Sequence, residues 1–248
     1  MAMRPGLDKI IDDCRAAGST LGDVVGTMSE TQLREPSALP AWSRAHVLAH
    51  LTNVGDAAAR QVEYAARGEL VEFYDGGRAA RDSAIEADSA LGLADHQQRV
   101  VRMLERLAAA WPESGSPMWE QPVTFREGTV TDVALMWWRE IRIHLLDVDL
   151  GVDVESWSED FCRHLFDFLT PRLPAGGYVE LRPDDSAPWR FPPASVADDE
   201  TGWLVVRGPI RDVALWLAGR QPRQMPKAAR DGQPVDLPEL RPWPAARG

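Results

Sequence analysis

The fold is decided by one stretch of the chain, Trp137-Trp138-Arg139-Glu140-Ile141-Arg142-Ile143-His144, whose apolar residues recur at helical spacing. At 3.6 residues per turn, positions four apart differ by about 40° around the helix axis, so Glu140 and His144 share one face. This spacing suits two metal ligands from one helix. An ion pair of Glu140 with Arg139 or Arg142 is the alternative, because a buried carboxylate needs a cation.

A third ligand is available upstream, in Ala45-His46-Val47-Leu48-Ala49-His50-Leu51, which also has helical periodicity. Only one of His46 and His50 can point fully inward. His50 stands among inward apolar positions and His46 is close to the helix start, so we favour His50; whether His46 assists at the metal stays open. Two histidines and one carboxylate bind zinc and leave one position open for chemistry. We therefore expect a metal site of His50, Glu140 and His144.

Two neighbouring polar residues each have two interpretations. Asp147 either holds the distal nitrogen of His144 or forms an ion pair at the helix end. Asn53, one turn beyond His50, either contacts a bound water or ligand or forms hydrogen bonds with polar groups of the protein around it. Both residues lie on the helices that carry the expected ligands.

The first part of the chain predicts a bundle of four helices. Apolar positions recur at intervals of three and four in approximately 6–28, 43–68, 78–111 and 129–150. Ser43 suits the N-cap of the second segment, and Thr129 with Asp132, or Thr131, suits that of the fourth. The third segment is interrupted around Gly92, which allows two helices at an angle. Gly151 ends the pattern, so we expect a bundle domain over 1–151.

The remainder, 152–248, predicts a small α+β domain. A helix at about 159–173 is followed by β-like runs at 178–182, 189–191 and 202–207, and then by a second helix at 210–217. The proline-rich tail from Gln221 is predicted to be extended or loosely attached.

Composition narrows the function classes. The chain has 248 residues and a net charge of −11, with 38 acidic residues against 27 Lys and Arg, which argues against nucleic-acid binding. Cys14 and Cys162 have no CxxC spacing, so we expect no disulfide framework and a cytoplasmic location. No signal peptide or run of about 18 apolar residues is evident, so no membrane contact is expected. We expect a monomer or weak homodimer.

Four segments resemble one family. The run Leu39-Pro40-Ala41-Trp42-Ser43-Arg44-Ala45-His46-Val47-Leu48-Ala49-His50-Leu51 resembles the second-helix signature of the mycothiol-dependent maleylpyruvate isomerase family, among the DinB-like metal-binding bundles. Trp138-Arg139-Glu140-Ile141-Arg142-Ile143-His144-Leu145-Leu146-Asp147 resembles its fourth-helix signature. Residues 73–86 and 208–220 resemble the opening of its third helix and the closing helix of its small domain. The resemblance implies a mainly α fold, with a DinB-like four-helix bundle followed by a small α+β domain.

The resemblance also implies a reaction. It implies zinc or another divalent metal held by His50, Glu140 and His144, and a low-molecular-weight thiol such as mycothiol as co-substrate. In the family's founding activity the thiol adds to the cis double bond of maleylpyruvate, the new single bond rotates, and elimination gives fumarylpyruvate. An open metal site suits this chemistry, because it can acidify a thiol or polarise a substrate oxygen.

Arginines would complete such a site, because maleylpyruvate carries two carboxylates that guanidinium groups can hold. Arg81 and Arg220 fall in the matching segments and are predicted to contact the substrate. The alternatives are a surface pair of Arg81 with Asp82 or Glu86, and pairing of Arg220 with a helix C-terminus.

Tyr74 and Asn53 are further candidates for polar contacts with a bound substrate or cofactor. A zinc-dependent S-transferase, which would conjugate mycothiol or ergothioneine to a small electrophile, is an alternative function. A non-catalytic metal-binding regulatory module is another, but a structural zinc would normally have a fourth protein ligand. The residues do not name the thiol.

Overall fold

The computed structural model describes residues 6–174, 178–191 and 202–244. The chain divides into two compact units, one ending at Asp153 and the other running from Val154 onward. The sequence predicts two domains, 1–151 and 152–248. That each of these segments folds by itself remains a prediction. Within the described ranges, no helix combines the length and the apolar character needed to cross a bilayer.

The first unit is a four-helix bundle with two additional short helices. Helices α1 and α3 each pack against both α5 and α6, which closes the bundle, and α4 packs on α3. The predicted fold class, a mainly α bundle followed by a small α+β part, is confirmed. The helices are α1 (Leu7–Thr27), α2 (Glu30–Arg34), α3 (Arg44–Ala65), α4 (Gly77–Ser89), α5 (Leu93–Ala110) and α6 (Val130–Asp147).

Local sequence signals explain where these helices begin. Ser43 and Thr129 are the N-cap residues of α3 and α6, as predicted, and each forms a capping box, with His46 and Asp132 as the reciprocal partners. The interrupted third segment is indeed two helices, α4 and α5. Helix α2 was not predicted, although Ser29 forms a capping box there as well.

One glycine sets how closely α3 approaches its neighbours. A Cβ atom at Gly55 would lie 2.5 Å from Sδ of Met103 on α5 and 3.2 Å from the ring of Trp137 on α6. Met103 and Trp137 are both buried. The absence of a side chain at Gly55 therefore allows α3 to pack closely against the helix that carries Glu140 and His144.

The second unit contains two α-helices, α7 (Glu159–Leu169) and α8 (Ile210–Leu217), and a five-stranded sheet. Helix α7 packs on α8, which contacts β1 and β3. The sheet order is β2-β1-β3-β4-β5, with β1 and β3 parallel and the other neighbours antiparallel. The strands are β1 (Val179–Pro183), β2 (Trp189–Phe191), β3 (Leu204–Gly208), β4 (Lys227–Arg230) and β5 (Gln233–Val235).

Part of the tail pairs into the sheet, which the sequence did not predict. Strand β4 pairs with β3, and β5 pairs with β4, so residues 227–235 belong to the sheet. Pro234 is tolerated there because β5 is an edge strand, where a missing N–H costs no ladder bond. Further on, Arg241 donates its N–H to the carbonyl of Arg172 at 2.8 Å. These residues are therefore extended, which is one of the two predicted alternatives, and are not loosely attached.

Candidate metal centre

The structure brings the three predicted ligands together across the contact between α3 and α6. Nε2 of His50 lies 2.9 Å from Oε2 of Glu140, and Nε2 of His144 lies 3.3 Å from the same oxygen. One ligand atom from each of the three residues lies within 4.8 Å of the others. A carboxylate thus stands between two imidazoles from facing helices.

These donors fit a zinc ion. Ligands about 2.0–2.2 Å from a tetrahedral zinc are roughly 3.4 Å apart, close to the separations between Glu140 and the two imidazoles. Within the described part of the chain, this cluster holds three such groups, one fewer than a closed structural zinc site requires. The donor set therefore suits a metal with an open position.

The charges of His50 and Glu140 near pH 7 suit the binding of a metal cation. Burial, assisted by the neighbouring His144, lowers the pKa of His50 to about 4, although Glu140 acts in the opposite direction. His50 is therefore neutral near pH 7, which is the form that binds a metal. Burial alone would raise the pKa of Glu140, but hydrogen bonds from His144 and His50 bring it well below its usual value. Glu140 is thus an anion.

His144 is oriented by a buried carboxylate at the end of its helix. Its Nδ1 lies 2.8 Å from Oδ2 of Asp147, whose side chain is 1% exposed. Burial acts to lower the pKa of His144, but the neighbouring carboxylates of Asp147 and Glu140 outweigh it and raise that pKa. A carboxylate on the distal nitrogen is the usual partner of a metal-bound histidine, because it fixes the ring. This arrangement matches the first of the two interpretations of Asp147.

His46 lies outside the cluster. Its Nδ1 is 2.7 Å from Oγ of Ser43, within the capping box of α3, and its Nε2 is 3.6 Å from Glu86. The imidazole also stacks on Trp42, with 6.1 Å between ring centroids. These contacts place His46 at the helix start.

Arg81 reaches the cluster. Its NH1 donates to Oδ1 of Asp82 at 2.7 Å, and its NH2 lies 3.1 Å from Nδ1 of His50. A guanidinium has donors only, so in this arrangement His50 accepts at Nδ1 and carries its proton on Nε2, toward Glu140. To bind a metal through Nε2, His50 would have to carry that proton on Nδ1 and give up the contact with Arg81. Tyr74 is adjacent: burial raises its pKa to about 12, although the charge of Arg81 acts against that shift. The phenol is therefore protonated near neutral pH.

Asn53 is engaged in a network between three helices. Its Nδ2 donates to Oδ2 of Asp88 at 2.9 Å, and its Oδ1 accepts from Arg99 at 3.4 Å. Arg99 also donates to Asp88 at 2.6 Å. These contacts match the interpretation of Asn53 as a residue that hydrogen-bonds to polar groups of the protein around it. A role of Asn53 in binding a cofactor remains a prediction.

Arg220 belongs to the second unit. Its NH1 donates to the carbonyl of Ala218 at 2.8 Å, and its Cζ lies 5.7 Å from the ring centroid of Trp243. The contact with Ala218 agrees with the alternative of pairing at a helix end, since α8 ends next to this residue. Contact of Arg220 with a substrate remains a prediction.

Sequence reasoning missed a row of aromatic residues beside Tyr74. The ring of Phe73 lies 4.7 Å from that of Tyr74 and 5.0 Å from that of Phe125, measured between centroids. Phe125 and Arg126 lie in a tight turn, Phe125–Glu127. Pro122 and Gly128 are the turn signals that the sequence shows on either side of it.

Comparisons with known proteins agree with this architecture. The description "Mycothiol maleylpyruvate isomerase N-terminal domain" matches residues 14–149, and "MDMPI C-terminal domain" matches residues 156–240. A crystal structure of the mycothiol-dependent maleylpyruvate isomerase is 23% identical, with a TM-score of 0.79. A histidine-to-alanine mutant of that enzyme is 22% identical, with a TM-score of 0.78. Each comparison covers 96% of this chain and 98% of the other. No curated protein matches the chain.

Proposed function

The chain belongs to the mycothiol maleylpyruvate isomerase family, and from that premise we propose that it is a metal-dependent enzyme that uses a small thiol to isomerise a cis alkene. The observation that carries the proposal is the cluster of His50, Glu140 and His144. A three-ligand site leaves room for a reactant, which a closed structural site does not. The S-transferase and the non-catalytic module are not favoured.

We propose zinc as the metal and mycothiol as the thiol, the latter because the family's name specifies it. When bound, the metal would supply a positive charge that favours the thiolate form of the thiol or polarises a substrate oxygen. His50, Glu140 and His144 would hold it, and Asp147 would fix the ring of His144.

The reaction changes one carbon–carbon bond. The thiolate sulfur forms a bond to one alkene carbon, and the alkene electron pair moves toward the adjacent carbonyl as an enolate. The resulting carbon–carbon single bond rotates. The electron pair then re-forms the double bond in the trans arrangement, and the thiolate leaves unchanged. The thiol is therefore not consumed.

Two residues beside the cluster suit the enolate and carboxylate charges of such a substrate. Arg81 presents a guanidinium within 3.1 Å of His50, where it can pair with a carboxylate. Tyr74 is a neutral phenol beside Arg81 and can donate a hydrogen bond to an oxygen that becomes negative.

The test is to supply the zinc-loaded protein with maleylpyruvate and a panel of thiols, and to follow isomer formation and thiol concentration separately. Formation of the trans isomer with thiol recovered supports the proposal. Consumption of thiol with a stable adduct would identify a transferase instead. Absence of both with every thiol would contradict thiol-dependent chemistry on this substrate. The Glu140→Ala variant is the control for dependence on the metal site.

The second unit is predicted to be needed for turnover, since Arg220 lies in it. Removal of the residues after 151 should leave zinc bound by the bundle but abolish isomerisation. Zinc content and turnover are measured on the same preparation. A bundle fragment with full activity would contradict the role assigned to the second unit.

A further inference from the structure

Helix α8 ends in a turn that fixes the backbone of Arg220. Ala218 caps the helix, and Gly219 follows it with φ of 70°, in the left-handed region that glycine adopts without strain. The N–H of Gly219 donates to the carbonyl of Trp216 at 2.9 Å. The N–H of Arg220 donates to the carbonyl of Leu215, also at 2.9 Å. These two hydrogen bonds form a Schellman motif, so the side chain of Arg220 starts from a defined position at the end of α8.

The segment after the last strand is tied to the same helix end by Arg172, a buried residue. Arg172 donates from NH1 to the carbonyl of Leu217, the last residue of α8. Its Nε donates to the carbonyl of Arg241 at 2.8 Å, and the N–H of Arg241 donates back to the carbonyl of Arg172 at 2.8 Å. A Cβ atom at Gly219 would lie 3.3 Å from NH1 of Arg172, so glycine leaves room for this side chain. Arg241 is therefore held at the end of α8.

Trp243 follows two residues after this attachment and contacts two arginines. Its ring centroid lies 5.5 Å from Cζ of Arg172 and 5.7 Å from Cζ of Arg220, both within the range of a cation–π contact. The ring of Phe168 on α7 lies 6.1 Å away, measured between centroids. The indole therefore connects the side chain of Arg220 to Arg172 and to α7, although it is 37% exposed.

The contact with Trp243 opposes a repulsion between the two arginines. Burial and the charge of Arg220 together lower the pKa of Arg172. The repulsion acts to turn the guanidinium of Arg220 away from the end of α8. The negative face of the indole attracts both cations, and it uses none of the N–H donors that a carboxylate needs. A side chain that is held beforehand also loses less conformational freedom when a ligand binds.

We propose that Trp243 is a positioning residue for Arg220, which keeps the guanidinium where it can pair with a carboxylate of the substrate. The inference rests on the proposed function and on the predicted contact of Arg220 with the substrate. It gives the segment 241–244, which follows the last strand, a part in that reaction.

Three variants test this role in the full-length zinc-loaded protein. Trp243→Leu removes the aromatic face, and Trp243→Phe keeps it in a smaller ring. Phe191→Leu is the matched control, because Phe191 is also an exposed aromatic residue of the second unit, at 41%, and its ring stacks on Trp189. The KM values for maleylpyruvate and for mycothiol are measured separately.

Trp243→Leu should raise the KM for maleylpyruvate about fivefold and leave the KM for mycothiol within about twofold, since Arg220 would pair with a carboxylate of maleylpyruvate. Trp243→Phe should restore most of the loss, and Phe191→Leu should change neither KM. In a protein that carries Arg220→Gln, adding Trp243→Leu should change the KM for maleylpyruvate by less than about twofold. Equal KM values in wild type and Trp243→Leu, or an undiminished effect of Trp243→Leu in the Arg220→Gln protein, would overturn the proposal.

A labelling experiment separates this proposal from the proposed function, because it needs no turnover. Phenylglyoxal modifies accessible arginine side chains, and mass spectrometry of a proteolytic digest reports the rate at Arg220. Trp243→Leu should raise this rate at least about threefold, and Phe191→Leu should leave it unchanged. Faster labelling in Trp243→Leu, without isomerisation of maleylpyruvate by any thiol, would reject the proposed function and keep the positioning of Arg220 by Trp243. An unchanged labelling rate in Trp243→Leu would reject the positioning role whatever the activity.

Discussion

Two buried histidines of the bundle, His50 on α3 and His96 in the first turn of α5, have opposite surroundings. Both are almost fully buried, at 4% and 0% exposed, and burial is the main cause of a lowered pKa in each. Nε2 of His50 faces Glu140 at 2.9 Å. Within the described residues, neither ring nitrogen of His96 has a hydrogen-bond partner.

The comparison shows that burial alone does not make a metal site. It keeps both imidazoles neutral, but a ligand cluster also needs donors from a second helix, and α6 supplies them to His50. The charged groups near His96 include Arg34, Arg99, Asp88, Asp95 and Glu30. Asp88 accepts hydrogen bonds from Arg99 and Asn53, and among the described residues His96 takes no part in this network.

The largest expected effect is on zinc binding, which should be lost when a ligand of the His50 cluster is replaced and kept when His96 is replaced. His50→Ala and Glu140→Ala should each abolish stoichiometric zinc, because two remaining ligands hold zinc weakly. His96→Leu, the matched control at the other buried histidine, should bind zinc as wild type does. Zinc is measured by elemental analysis after dialysis. Unchanged zinc in the two ligand variants would refute the site.

A smaller effect is expected from the group behind His144. Asp147→Asn keeps the size of the side chain but removes the negative charge 2.8 Å from Nδ1. We expect zinc affinity to fall about 10–100-fold, as is typical when the partner of a metal-bound histidine is changed. Competition with a chelator measures this affinity. Wild-type affinity in Asp147→Asn would assign Asp147 a purely structural role at the helix end.

The metal cluster could be predicted because its signals are local. The spacing of Glu140 and His144 follows from helix geometry, and the position of His50 among apolar residues shows that it points inward. The same periodicity, with capping residues such as Ser43 and Thr129, predicted most of the fold.

The features that were missed depend on contacts distant in sequence. The turn at Arg126 is held by Gln61 on another element, and no property of residues 121–128 specifies that contact. Strand β4 forms because β3 offers an edge, so a proline-rich stretch that resembles a loose tail becomes part of a sheet. His96 stands close to apolar residues in a helical pattern, and its lack of a partner is visible only after folding.

The next prediction concerns the effect of His96 on the stability of the protein. Replacing His96 by leucine should raise the free energy of unfolding by about 1 kcal/mol, because a buried ring whose two nitrogens have no hydrogen-bond partner among the described residues is exchanged for an apolar side chain of similar size. Urea denaturation of the metal-free proteins at pH 7 measures the change. A loss of stability in His96→Leu would show that the imidazole makes a favourable contact.

The smallest effect is the dependence of that difference on pH. The pKa of His96 is held below its ordinary value near 6.5 by burial, and the charges of Arg99 and Arg34 add to this. Below about pH 6.5 the unfolded chain binds a proton at this position that the folded chain does not, so acidification destabilises wild type. The advantage of His96→Leu should therefore grow as the pH falls from 7 toward 5, by at most about 1.4 kcal/mol per pH unit. Parallel stability curves for the two metal-free proteins over this range would show that His96 takes up its proton as readily in the folded chain as in the unfolded one.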